Sequence, residues 1–128
     1  MFFPVTAMYA GLLGLLLILL SAQVSRQRRR ARVSLGLGGD TELERAARAQ
    51  GNFIEYVPLG LLLLLLLEPE ITRLWILHVL GTMLLLGRIL HAIGMYPRGR
   101  AIKGRFWGTA LTWLMILGAS FLNLWHQL

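Results

Sequence analysis

At 128 residues, 56% hydrophobic and with a formal net charge of +7, the chain is too apolar for an ordinary soluble domain of its size. It contains no cysteine, which excludes a disulfide framework, a thiolate metal site and a protein thiol nucleophile. Three scattered histidines without a metal-ligand spacing give no basis for a metal site.

The basic residues crowd into two short segments between apolar blocks. These are Arg26, Arg28, Arg29, Arg30 and Arg32 in the first segment, and Arg98, Arg100, Lys103 and Arg105 in the second. This placement is typical of the positive-inside rule, with attraction to anionic headgroups as a second interpretation. No aromatic residues interleave with the first segment, so we expect no nucleic-acid partner.

The first apolar block, residues 5–22, would span about 27 Å as a helix, close to the ~30 Å hydrocarbon core of a bilayer. A cleaved signal peptide is the competing interpretation. No basic residue precedes the block and a dense arginine run follows it, so we favour a transmembrane helix over about residues 5–25.

Three further helices are predicted, over about residues 41–67, 71–95 and 105–125. Gly36, Gly38 and Gly39 separate the first helix from the second. The pattern Thr41-x-x-Glu44 predicts a capping box at the start of the second helix. The sequence therefore predicts an all-α, integral membrane four-helix bundle that forms one domain over residues 1–128.

Loop charge predicts the orientation of this bundle. The connections after the first and third helices are basic, whereas the turn at Glu68-Pro69-Glu70 is acidic. Because basic loops stay in the cytoplasm, both termini should face outward, into the periplasm of a bacterial host.

The second helix changes from polar to apolar, and its polar start carries one charged face. Arg48, Asn52 and Glu55 stand at i, i+4 and i+7 and share this face. Such groups are costly in a membrane unless they meet a partner or a wet cavity. A simple ion pair between Arg48 and Glu55, with Asn52 bonding another helix, is the structural alternative. We expect the arginines that follow the first helix to lie at the same depth in the membrane as this face. The same depth is expected for Arg88 and His91 of the third helix and Arg105 of the fourth, which favours a binding site.

The run Arg48-Ala49-Gln50-x-Asn52-x-x-Glu55-Tyr56-x-Pro58-Leu59 resembles the signature of the MAPEG family, the membrane-associated proteins in eicosanoid and glutathione metabolism. The local match is closest to the leukotriene C4 synthase and microsomal glutathione transferase type. The resemblance implies a homotrimer of four-helix protomers in a bacterial inner membrane. It also implies glutathione as co-substrate, bound between protomers near the cytoplasmic side, and a lipophilic second substrate.

Site roles follow from the same resemblance, position by position. It implies that Arg48, Asn52, Glu55 and Tyr56 bind glutathione, and that Gln50 serves a neighbouring protomer. Further ligands are implied at the end of the first helix and on the third: Arg28 or Arg29, and Arg88 and His91 of an R-x-x-H pattern.

The thiol-activating arginine of the family maps to Arg105, with Lys103 and Arg100 as the alternatives. One departure from the family lies nearby. Members that act on eicosanoids have a tyrosine four residues after the His91 position, where this chain has Met95. Either the following Tyr96 substitutes for it, or that contact is missing.

Two functions from different classes remain open at this point. The first is a glutathione transferase or peroxidase that conjugates or reduces lipophilic electrophiles with the glutathione thiolate. The alternative is a non-catalytic scaffold that binds and presents a lipid. A small transporter or channel subunit ranks last, since the charged groups form one patch rather than a continuous path.

Overall fold

The computed structural model describes residues 2–96 and 102–128. It has four helices: α1 (Pro4–Ala31), α2 (Thr41–Leu67), α3 (Leu74–Gly94) and α4 (Ile102–Gln127). Each is long and apolar enough to cross a membrane. The predicted all-helical architecture is confirmed. Arg98 and Arg100 of the second basic segment lie outside the described residues.

Helix α1 extends six residues past its predicted end, to Ala31. Its last turn carries Arg28, Arg29 and Arg30, and cations there are favoured by the helix dipole. The connection that follows contains the three predicted glycines, with φ angles of 71°, 58° and 70° at Gly36, Gly38 and Gly39. Positive φ is accessible to glycine at little cost, which explains why the chain turns here.

Helix α2 has the predicted bounds, but its N-cap residue lies one position earlier than predicted. The capping box at Thr41 is wrong: the N-cap is Asp40, whose side chain accepts a hydrogen bond from the Leu43 amide at 2.9 Å. Asp40 also pairs with Arg30 at 2.6 Å. The hydrogen bond from the Leu43 amide is the largest effect on the pKa of Asp40, and together with the hydrogen bond and charge of Arg30 it outweighs burial and holds that pKa below its ordinary value. The pairing ties the two helix ends together.

The turn between α2 and α3 is longer than the sequence predicts, because α3 begins at Leu74 rather than near residue 71. The backbone N–H of Ile71 bonds the carbonyl of Leu67 at 3.1 Å, and the Ile71 side chain is buried. Ile71 therefore covers the end of the core instead of opening the helix. Glu68 in this turn accepts hydrogen bonds from the amides of Val5 and Thr6, at 2.9 and 2.8 Å.

Helix α1 packs on α2 and α3, and α3 packs most closely on α4. The Tyr9 ring covers Gly81, and its hydroxyl bonds the carbonyl of His78 at 3.0 Å. Between α3 and α4, glycines let the two backbones touch: a Cβ added at Gly108 would come within 3 Å of α3 backbone atoms. Gly81 and Gly87 of α3 are likewise packing positions, because a Cβ would meet Tyr9 at the first and Thr112 at the second.

Candidate functional site

One cavity of about 310 Å³ lies where the start of α2 meets the end of α3 and the start of α4. Charged and polar side chains dominate its wall. The full lining is Ala47, Arg48, Gly51, Asn52, Glu55, His91, Met95 and Arg105. Ligand pockets in proteins usually have volumes of roughly 300–1,000 Å³, so the cavity is large enough for a small molecule.

Helix α2 forms one wall of the cavity. Arg48, Asn52 and Glu55 all line it, as their spacing along one helical face predicts. Gly51 lies on the same wall, and without a side chain it leaves room for a ligand. Among the described residues, the ion pairs are Arg30–Asp40 and Arg45–Glu42, so the simple Arg48–Glu55 pair is not formed there.

The opposite wall depends on the close contact of α3 with α4. Gly94 and Gly104 allow the last turn of α3 to touch the first turns of α4. That contact places His91 and Arg105 in the same wall. Lys103 is exposed and does not line the cavity, so Arg105 is the described basic residue of this turn that reaches it.

A second cavity, of about 260 Å³, adjoins the first toward the start of α2. The two share Arg48, Met95 and Arg105. The second is completed by Thr41, Glu44 and Arg45. The shared residues join the two cavities into one polar groove along about four turns of α2, with Arg48 and Arg105 at its middle.

A sequence model of the MAPEG family matches residues 6–125. The chain belongs to the MAPEG family. Inner membrane protein YecN of Escherichia coli K12 is 38% identical over 123 residues, which cover 96% of this chain and 92% of YecN. YecN of a second Escherichia coli strain matches to the same extent. The family predicted from the motif of α2 is therefore confirmed.

Two residues of the MAPEG motif and its surroundings lie next to the cavity rather than in its wall. Arg88 is buried, and its Nη1 donates to Asn52 Oδ1 at 2.5 Å and to the Asn52 carbonyl at 3.3 Å. Its guanidinium lies over the Tyr56 ring, 5.5 Å from the centroid. Arg88 therefore reaches the cavity through Asn52, and Tyr56 contacts Arg88; neither residue lines the cavity.

The remaining MAPEG positions lie farther from the cavity within the protomer. Gln50 donates to Ser21 Oγ at 2.9 Å and so faces α1. Arg28 and Arg29 line a separate open groove of about 470 Å³ with Ser25, Arg32, Val33 and Ser34. The structure does not bring these three predicted ligands to the cavity of their own chain.

At the end of α3, Met95 lines the cavity and Tyr96 does not. The Tyr96 hydroxyl is buried, and no hydrogen bond to it occurs among the described residues. Ala47, Gly51 and Met95 are lining residues that the sequence reasoning did not assign to the site. The small pair Ala47 and Gly51, at i and i+4 beside the charged face, was the available signal.

Proposed function

We propose that this chain is a membrane-bound glutathione transferase or peroxidase that acts on lipophilic electrophiles. One observation carries the proposal: Arg48, Asn52 and Glu55 of α2 meet Arg105 of α4 across a single cavity. Family membership supports the same conclusion, since MAPEG proteins include glutathione-dependent enzymes.

The chemical groups of the cavity fit glutathione. This tripeptide carries two carboxylates, one ammonium group, peptide groups and a thiol. Arginines bind carboxylates as planar, forked donors, which suits Arg48 and Arg105. Glu55 offers the matching charge for the ammonium group, and Asn52 a hydrogen bond for a peptide or carboxylate oxygen.

Reactivity requires the thiolate, because the free thiol has a pKa of about 8.5. A fixed cation beside the sulfur favours the charged form, and each unit of pKa shift corresponds to about 1.4 kcal/mol. We propose Arg105, which lines the cavity, as that cation. The thiolate then attacks an electrophilic carbon and forms a C–S bond, while a leaving group departs with its electron pair or, for an activated alkene, the π bond breaks and the resulting carbanion takes up a proton. With a peroxide, two glutathiones are instead oxidised to the disulfide as the O–O bond is reduced to alcohol and water.

We propose that the chain resides in a bacterial inner membrane, because its relative YecN is an inner membrane protein. We also propose that the chain forms a homotrimer, which family membership supports. In a trimer, Gln50, Arg28 and Arg29 would serve the cavity of a neighbouring protomer, since they do not line their own. The mass of the detergent-solubilised complex tests the assembly.

The first experiment is a glutathione titration of purified protein in detergent, followed by thiolate absorbance near neutral pH. We expect a saturable signal that Arg105→Ala abolishes and Arg105→Lys keeps in part, since lysine retains the charge without the fork. Lys103→Ala, two residues away and outside the cavity, is the matched control.

Three outcomes separate the possible functions. A thiolate signal dependent on Arg105 supports the enzyme. Glutathione binding without thiolate contradicts the proposed role of Arg105 but leaves a glutathione-binding protein. No binding at all contradicts the proposal and favours the lipid-presenting scaffold.

A further inference from the structure

Arg88 lies within the helix bundle and is only 2% exposed. Among the described residues, its hydrogen-bond and cation–π contacts are with two residues of α2. Nη1 bonds the side-chain oxygen and the backbone carbonyl of Asn52, and the guanidinium covers the face of Tyr56. Asn52 itself is half-buried and lines the cavity. A buried cation on α3 thus holds a cavity residue on α2.

The chemistry of the two groups fixes which end of the amide meets Arg88. A guanidinium has only N–H donors, whereas an amide has an acceptor oxygen and a donor NH₂. The oxygen must therefore face Arg88. The NH₂ is then the end of this side chain that remains for a ligand in the cavity.

We infer that Arg88 is a positioning residue, which orients Asn52 so that its NH₂ group is presented to the cavity as a hydrogen-bond donor. This inference rests on the proposed glutathione site and sharpens its selectivity. Nε and Nη2 of Arg88 are buried without a hydrogen-bond partner among the described residues, so Nη1 is the guanidinium nitrogen that is paired there. Turning the amide over would place its NH₂ against Nη1 and leave a further buried N–H of Arg88 unpaired, which costs free energy.

The orientation determines the class of ligand that the cavity accepts. Arg48, Arg105 and the Asn52 amide then all present hydrogen-bond donors to the cavity. Glu55 supplies the carboxylate among the described residues that line it. A ligand must offer several acceptor oxygens and one ammonium group. That requirement selects a peptide thiol with net negative charge over a small cationic aminothiol, which lacks the carboxylates.

A double-mutant cycle on glutathione affinity tests the coupling between the two residues. We expect Asn52→Ala to weaken binding about tenfold, the value of one good hydrogen bond. In an Arg88→Met background the Asn52 amide is no longer held in one orientation. Asn52→Ala should then weaken glutathione binding only about threefold or less. If Arg88 served only stability, Asn52→Ala would weaken glutathione binding by the same factor in both backgrounds. That result would overturn the inference.

Asn52→Asp provides a test that does not depend on removing Arg88. Aspartate keeps an oxygen for Arg88 but has no NH₂, so we expect an unfolding midpoint no lower than wild type together with at least a tenfold loss of affinity. Wild-type affinity in Asn52→Asp would overturn the inference. Arg88→Lys, which keeps a donor, replaces Arg88→Met in the cycle if the methionine variant does not fold, and its coupling should be intermediate.

The same titrations separate the inference from the proposed function. If the wild-type protein does not bind glutathione, the proposed function fails and the ligand assignment fails with it. If the wild type binds glutathione and Asn52→Ala weakens binding equally with and without Arg88, only the positioning role of Arg88 fails. A small cationic aminothiol, cysteamine, should bind at least tenfold more weakly than glutathione, and equal affinity would contradict the selectivity.

Discussion

Glu55 is the acidic side chain among the described residues that line the cavity of about 310 Å³; Arg48 lies on the same wall and Arg105 on the opposite one. Glu55→Gln keeps its size and hydrogen bonding but removes the charge that would meet the ammonium group. We expect glutathione affinity to fall about tenfold or more, because a charge-assisted hydrogen bond is replaced by a neutral one. Isothermal titration calorimetry in detergent measures the glutathione affinity. Glu70→Gln, the same change on the exposed turn at the other end of the molecule, should bind as wild type. Unchanged affinity in Glu55→Gln would show that the charge is not used.

The grouping of Arg48, Asn52 and Glu55 could be predicted from sequence because helical spacing is a local property. The position of Arg88 could not. Whether it enters the cavity or lies against Asn52 depends on how α3 is rotated toward α2. That rotation is set by packing between distant residues, which spacing within one helix does not report.

At the scale of the helices, Gly108 controls the distance between α3 and α4. A Cβ at this position would meet the Gly87 carbonyl and the His91 amide, both backbone groups that cannot move aside. We expect Gly108→Ala to lower the unfolding midpoint, with a cost of about 1–3 kcal/mol as for other overpacked sites. It should also weaken the thiolate signal, since His91 and Arg105 share the displaced contact.

Gly14→Ala is the matched control for this prediction. No atom lies within 4 Å of a Cβ added at Gly14, so the alanine should stabilise α1 by about 0.5–1 kcal/mol through helix propensity. Thermal unfolding followed by circular dichroism compares the two. If the two alanine variants changed the unfolding midpoint equally, the close contact of α3 with α4 at Gly108 would not be needed for stability.

The ends of the helices were predicted less accurately than their existence. Thr41 and Asp40 are both good N-cap residues, and the sequence pattern alone favours Thr41 through the glutamate three residues later. The pairing of Arg30 with Asp40 joins α1 to α2, and a local pattern contains no information about it. The late start of α3 has the same origin, because Ile71 is buried against the core.

At the scale of the whole molecule, Glu68 joins the end of α2 to the start of α1, at the end opposite the cavity. Burial raises the pKa of this carboxyl, but hydrogen bonds from Thr6 and Val5 and the charge of His78 outweigh it, so the pKa lies below the ordinary 4.5. The folded state therefore holds the charged form more strongly than the unfolded state. This stabilisation is complete above pH 4.5 and is lost as the pH falls through the lower folded value.

We expect Glu68→Gln to reduce stability at neutral pH by about 2 kcal/mol, because hydrogen bonds to a charged acceptor are replaced by weaker ones. Its stability should also depend less on pH below 4.5 than that of the wild type. Thermal midpoints measured between neutral and acidic pH check both statements. Glutathione affinity should stay at the wild-type value, and a parallel loss would show that the two ends of the bundle are coupled.

The orientation in the membrane decides whether glutathione can reach the cavity in reduced form. The native chain has no cysteine, so single-cysteine variants report sidedness without background. We expect a membrane-impermeant maleimide to label Glu70→Cys in intact spheroplasts, and Ser34→Cys only after permeabilisation, since basic loops stay inside. The native chain is the unlabelled control. The reverse pattern would place the cavity in the oxidising periplasm, where free thiols do not persist, and would contradict thiol chemistry at this site.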